Sequence, residues 1–201
     1  MGKLIYSANC SLDGYINDAE GNFDWSVPDE EVHQAINDLM RPTTTMLLGR
    51  RMYETLAVWE TWDVSNEPPV IADFQRIWLG LDKVVYSTTL MDVATSRTRI
   101  ERSFDAAAVS ALVSSSAGDV GIGGPTLAAQ AIRAGIVDEF HAWVAPVIVG
   151  GGTHWLPEGL RVELTLCAVR QFATGSSWIS YRFVERRTQV LSRQDQAQNS
   201  S

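Results

Sequence analysis

Three places in the sequence put a group suited to anions directly behind an apolar run. Leu47-Leu48 leads into Gly49-Arg50-Arg51 and then a helical pattern through Met52-Tyr53-Glu54. Outward N–H groups at a helix start, the positive end of its dipole and a guanidinium fork together suit phosphate oxygens. Two solvated arginines closing a strand would leave the same letters. Val84-Val85-Tyr86 leads into Ser87-Thr88-Thr89, hydroxyls that can hold a ribose or phosphate or simply cap a turn. Val120-Gly121-Ile122 leads into Gly123-Gly124-Pro125-Thr126-Leu127, where missing Cβ atoms let a backbone approach a pyrophosphate. The full Gly-x-Gly-x-x-Gly fingerprint and its later acidic residue are absent, which disfavours a standard Rossmann site. It is the joint occurrence of the three that points to a dinucleotide phosphate.

A fourth segment is a long connection, Ser11-Leu12-Asp13-Gly14-Tyr15-Ile16 followed by residues 21–30. Connections of this length are often lids or binding loops. This one delivers Trp25 and the carboxylates of Asp29 and Glu30 to the start of a helix. Both carboxylates also read as surface charges that favour the helix dipole.

The elements that must position these residues follow from periodicity. Strand-like runs are Lys3–Cys10, Thr45–Leu48, Lys83–Tyr86, Val120–Ile122, Glu139–Val147, Glu163–Phe172 and Trp178–Val184. Between them the pattern predicts helices over Pro28–Met40 (opening at Ser26, apolar face Val32, Ile36 and Leu39), Arg51–Ala57, Val70–Leu79, Ala106–Ser114 and Thr126–Ala134. Alternation of strand and helix through residue 135 implies crossover units and a largely parallel sheet. The last two runs are joined by Ala173-Thr174-Gly175-Ser176-Ser177, a hairpin-like connection. The expected fold is therefore α/β: a mixed, mostly parallel sheet with flanking helices and an antiparallel carboxy-terminal hairpin. In such sheets ligands collect outside the carboxyl ends of the strands.

Composition narrows the partners. The chain has 201 residues and a formal charge of −8, which repels nucleic-acid phosphates, and no broad basic patch offsets it. No apolar run approaches the ~20 residues that span a bilayer. Cys10 and Cys167 belong to no ligand pattern, and His33, His141 and His154 are scattered, so no metal is assigned. The amino terminus reads as an opening strand rather than a secretory signal, giving the expectation of a cytoplasmic protein. The organisation expected is one domain over residues 1–185 and a polar, disordered tail over 186–201.

Taken in order, these residues resemble the dihydrofolate reductase superfamily from about Lys3 to Val184. Trp25-Ser26-Val27-Pro28-Asp29-Glu30 is similar to its Trp-x-x-Pro-x-acid segment, with Glu30 in the acid slot. Leu48-Gly49-Arg50-Arg51-Met52-Tyr53-Glu54, Tyr86-Ser87-Thr88, Gly123-Gly124 and Thr153-His154-Trp155 are similar to the segments that follow. Ser11-Leu12-Asp13-Gly14 and residues 145–152 lie closer to the reductase domain of riboflavin biosynthesis, and the chain looks like a stand-alone relative of that branch. Two departures stand out: Pro125 occupies the place of a third glycine, and Ala128 that of an aromatic.

The resemblance implies a sheet of about eight strands and a reductase that moves a hydride from NADPH to a C=N or C=O bond of a pterin-like or other heterocyclic small molecule. It implies that Gly49, Arg50, Arg51, Ser87 and Thr88 hold the 2′-phosphate and adenosine end, and that Gly123, Gly124, Thr126 and Leu127 line the pyrophosphate and nicotinamide side. Ala8 and Ile16 would receive the carboxamide, Trp25 would meet substrate, and Glu30, partly buried beside Trp25, would supply or relay the proton. A homodimer through the carboxy-terminal strands is implied in the same way. The competing readings are a reductase of a ribosylaminopyrimidine, as in riboflavin biosynthesis, and a non-catalytic NADPH-binding protein.

Overall fold

Parallel strands covered on both faces need apolar residues on both sides. In the computed structural model, which describes residues 2–184, the central strands meet that need. Along β3 (Thr43–Gly49), β4 (Asp82–Tyr86) and β6 (Asp119–Gly123), Leu47, Val84, Val120 and Ile122 enter one core with α4 (Ala106–Ser115) and α5 (Pro125–Arg133). Their neighbours Leu48 and Val85 enter a second core on the opposite face, with Tyr53 of α2 (Arg50–Leu56) and Phe74 and Trp78 of α3 (Pro69–Gly80). The sheet has eight strands in the order β5-β4-β3-β6-β1-β7-β10-β9. Here β1 is Leu4–Ser11, β5 Thr98–Glu101, β7 Glu139–Ala145, β9 Leu164–Gln171 and β10 Ser177–Phe183. Only β10 runs antiparallel to its neighbours β7 and β9; the other pairings are parallel. This is the mixed α/β sheet with an antiparallel carboxy-terminal pair that the sequence pattern predicts. None of the described helices is long and apolar enough to cross a membrane.

The topology opens a crevice where the site residues lie. After β3 the chain turns to the α2–α3 face, and after β6 it turns to the α4–α5 face. Strands β3 and β6 are neighbours, so their carboxyl ends diverge around a gap.

Several boundaries differ from the sequence reading. The first helix, α1 (Glu30–Met40), starts two residues later than Pro28, and its cap is Asp29, whose carboxylate accepts the Val32 amide at 2.9 Å. Ser26 instead donates its hydroxyl to Phe23 O inside a 3-10 turn, Asp24–Ser26, and so cannot open the helix. β7 stops at Ala145, before Pro146, whose missing N–H ends the ladder. Three strands carry no apolar run and escape periodicity: β5, at the sheet edge, and the two-stranded pair β2 (Tyr15–Asn17) and β8 (Thr153–His154). The expectation for residues 186–201 lies outside the described residues.

The β2–β8 pair staples the long loop after β1 onto the loop after β7. Asp13 accepts the amides of Val149 (3.2 Å) and Gly150 (2.8 Å), and Asn17 Oδ1 accepts that of Thr153 (3.0 Å). Gly152 is fitted to the junction: at φ +127° a side chain there would strike Asn17 O. The Ser11 hydroxyl, with the Gly150 and Val149 amides behind it, holds the Asp13 carboxyl below its usual range. A lowered folded value means that this contribution is present above the ordinary aspartate pKa of ~3.9 and is lost as pH falls through the lowered value. The Val149 and Gly150 amide resonances are therefore expected to titrate together at acid pH, and Asp13→Ala should remove that titration and speed their hydrogen exchange.

Candidate functional site

Register brings the three anion-suited strand ends into one row. Leu48 of β3 lies opposite Val85 of β4 on one side and Gly123 of β6 on the other. The next residues along, Tyr86, Gly49 and Gly124, are thus level, and Ser87 and Arg50 follow at the rim. Gly124 sits at φ +93° as the cap of α5, a conformation that side-chain-bearing residues rarely adopt. A Cβ there would stand 3.6 Å from Gly49 N and from Met52 Cβ, filling a notch lined by backbone. First-turn amides of α5, including those of Thr126 and Leu127, lack intrahelical acceptors and carry the positive end of the dipole. Thr126 is exposed, whereas the Leu127 side chain is buried in the core, so Leu127 can offer a ligand only its backbone.

The rim is basic and rich in hydroxyls. Arg50 is exposed; its Nη1 donates to Thr89 Oγ1 at 3.3 Å and its Nε lies 3.7 Å from Glu54. Arg51 and Thr88 are exposed beside it. Ser87 is buried, and its hydroxyl accepts the amides of Thr89 (3.2 Å) and Leu90 (2.9 Å). Its role in the free protein is therefore the turn cap that the sequence also allowed, and Thr89 is the hydroxyl facing Arg50. Sequence reasoning missed a third guanidinium: Arg102, just past β5, donates to Ser87 O (3.0 Å) and Leu90 O (2.7 Å). No apolar run flags β5, so only the sheet pairing places Arg102 at this rim.

Further along the same edge lies a cleft of about 240 Å³ between the β1 and β7 ends, the start of α1 and the β9–β10 turn. Trp143 and Phe172 contribute aromatic wall, Val32 and Trp25 close it, and Asn9, Ser26, Asp29, Thr174, Ser176 and Ser177 supply polar edges. Trp143 is held by its indole N–H, which donates to Ser7 Oγ at 2.9 Å, and by Trp178 packed 5.8 Å away. Behind them His141 is buried, and burial lowers its pKa despite the neighbouring Glu139. Its Nδ1 accepts from Trp178 Nε1 (3.1 Å), which puts the ring proton on Nε2, facing Glu139 at 3.2 Å. The sequence-selected Trp25 does line the cleft, and its indole nitrogen is buried with no partner.

Glu30 is not where its sequence role requires. It is exposed on the first turn of α1 and does not line the cleft. The displacement follows from capping: Asp29 takes the N-cap and lines the cleft, and Glu30 is left outside. The Val32 amide, then the Thr174 hydroxyl, hold Asp29 below the usual carboxylate range. Ala8 is half-buried on β1, two residues beyond Tyr6, which pairs with Ile122; this puts it level with Gly124. Ile16 is half-buried on β2, within the stapled loop.

Comparison with known proteins agrees with the fold. Residues 2–178 match the RibD C-terminal domain family. A Shewanella sp. PV-4 protein provisionally named for riboflavin biosynthesis superposes with a TM-score of 0.71 at 19% identity, covering 90% of this chain and 99% of its own. A Thermotoga maritima diaminohydroxyphosphoribosylaminopyrimidine deaminase/5-amino-6-(5-phosphoribosylamino)uracil reductase gives 0.64 at 11% identity, with 91% of this chain matched to 57% of the larger protein. Dihydrofolate reductase from Enterococcus faecalis, complexed with NADP(H), gives 0.60 at 16% identity and coverages of 90% and 96%.

Proposed function

The chain belongs to the RibD C-terminal domain family, and from that premise we propose that it is an NADPH-dependent reductase of a small heterocyclic molecule. The observation that carries the proposal is the shared row of Gly49, Gly124 and the Ser87–Thr89 turn, with Arg50, Arg51 and Arg102 at its rim. A backbone-lined notch at a helix start suits a pyrophosphate, and guanidiniums beside hydroxyls suit a further phosphoryl group. The residues present thus fit NADPH. Arg50, Arg51, Thr88 and Thr89 would hold the 2′-phosphate, the Gly123–Leu127 backbone the pyrophosphate, and Ala8 and Ile16 the carboxamide. The chemistry supplied by the bound nicotinamide is hydride donation to an electrophilic C=N or C=O carbon.

The chain's own residues orient and shield. Trp143, Phe172 and Val32 seat a planar ring and exclude water from one side of it, while the staple between Asp13 and the Val149–Gly150 amides fixes the loop that carries Trp25. Asp29, held ionised, accepts a hydrogen bond rather than donates a proton, which leaves the proton to solvent. Glu30→Gln is accordingly expected to keep turnover within about threefold of wild type, against the 10²–10⁴ that a positioned general acid supplies. A larger fall would return Glu30 to the mechanism.

Tryptophan fluorescence titrated with NADPH and with NADH tests the cofactor half of the proposal, and steady-state NADPH oxidation against a panel of pterins and pyrimidines tests the reductase half. Tight NADPH binding without turnover on any of them would favour a non-catalytic binding role. The outer strand β9 exposes Leu166 and Val169, by 54% and 59%, on a sheet edge that no other described strand pairs with. That edge supports pairing of two copies through the carboxy-terminal strands, which light scattering would detect.

A further inference from the structure

We propose that the cleft beside Trp25 takes an unphosphorylated, hydrogen-bond-donating ring, and that Asp29 is the residue that turns phosphate esters away. The inference rests on the reading of this cleft as the substrate end of a reductase. It departs from the phosphoribosylated substrate named for the Thermotoga maritima relative.

The first ground is charge. Among the described residues lining the cleft, none is lysine, arginine or histidine, and Asp29 is the single ionised side chain. Its carboxylate is committed to the charged form by geometry, as the cap of α1 accepting the Val32 amide at 2.9 Å. A guanidinium does pack on the lining residue Phe172, that of Arg170 at 4.6 Å, but it is paired with Glu31 at 2.8 Å. Drawing it to a phosphate would leave Glu31 unpaired beside the same dianion.

Size is the second ground. An engineered cavity of roughly 150 Å³ takes a benzene. At about 240 Å³ the cleft has room for a ring with a few substituents, not for ring, ribose and phosphoryl group together. A ribosyl phosphate attached to such a ring would carry its phosphoryl group out over the cleft's polar edges, Asn9, Ser26, Asp29, Thr174, Ser176 and Ser177, none of which is a cation. The third ground is what the walls ask for. Ionised Asp29 accepts hydrogen bonds, so the ligand that satisfies it brings N–H or O–H donors. An uncharged or cationic heterocycle with amino substituents meets that demand, and a phosphate dianion does not.

Two probes that differ only in the phosphate decide the matter: 5-amino-6-ribosylaminouracil and its 5′-phosphate, titrated into the intact protein by calorimetry. The unphosphorylated form is expected to bind at least about tenfold more tightly, because like charges placed together at a site are strongly selected against. Asp29→Ser keeps an oxygen to cap α1 and removes the charge, so it should bring the two affinities within about twofold while melting close to wild type. Equal or tighter binding of the phosphate by wild type overturns the proposal, as does saturation by neither probe, or a ratio that Asp29→Ser leaves unchanged. NADPH titrated into the same preparation separates this from the reading beneath it. Loss of cofactor binding with the ratio intact sinks the reductase assignment alone, and cofactor binding with the ratio reversed sinks only this inference.

Discussion

Arg50→Ala should weaken NADPH about 10- to 150-fold and leave NADH within about twofold, since a hydrogen bond to a charged group is worth about 1.5–3 kcal/mol. Placement of the side chain sets this expectation. Arg50 reaches across from β3 to the β4 turn, with Nη1 on Thr89 Oγ1 and Nε near Glu54, so the fork is already aimed over the rim before any ligand arrives. A preoriented guanidinium loses little conformational freedom on binding, which puts the expected loss toward the upper part of the range. NADH has no phosphate on that ribose and so cannot feel the change. Arg102→Ala is a useful companion, because Arg102 is anchored on the Ser87 and Leu90 carbonyls and its loss would also loosen the turn. It should weaken both cofactors, and NADPH more. Equal losses with both cofactors for Arg50→Ala would remove the 2′-phosphate from the rim.

The contrast between Arg50 and Arg102 shows what the sequence could reveal. Arg50 follows Leu47-Leu48-Gly49, a local pattern in which an apolar run, a glycine and a cation stand side by side, so both strand and function are written in one short window. Arg102 follows Thr98-Arg99-Ile100-Glu101, an edge strand whose charged residues protect it from further pairing and thereby hide it from periodicity. Its place beside Ser87 exists only once β5 has paired with β4. Ser87 and Thr89 differ for a similar reason: which hydroxyl turns inward to cap amides and which faces Arg50 depends on turn geometry that residue type does not encode.

At the substrate end a difference of one residue matters. Asp29 and Glu30 are both acids at the start of a helix, and the resemblance to the Trp-x-x-Pro-x-acid segment selects Glu30. The shorter aspartate takes the cap, and it is Asp29 rather than Glu30 that lines the cleft. The relative directions of the strands, by contrast, are legible in outline, because the buried parallel strands are apolar on both faces and the last two are joined by a short turn.

The second large effect concerns β4, whose far end carries Ser87. Lys83 is the second residue of this strand and is only 1% exposed. Its ammonium donates to Leu81 O (3.1 Å) and Ser96 O (3.2 Å) and sits 4.8 Å from the Trp78 ring centroid. Glu60 closes the arrangement by accepting the Ser96 amide at 2.8 Å. One cation thus ties the end of α3, the start of β4 and the loop before β5. Lys83→Ala should cost about 3–5 kcal/mol, because it removes a buried stem and leaves two carbonyls without their donor. For a chain of this size that is a fall of about 6–20 °C in Tm. Lys83→Met keeps most of the stem and should fall less. Burial pushes the Lys83 ammonium below its ordinary pKa, with Glu60 opposing the shift. A lowered folded value means that the unfolded chain binds the extra proton, so wild type gains stability relative to Lys83→Met as pH rises toward the ordinary lysine value of ~10.4. Because β4 also presents the Ser87–Thr89 turn to Arg50, a destabilised Lys83 variant should bind NADPH more weakly without any preference over NADH. That pattern distinguishes a displaced strand from a missing phosphate ligand.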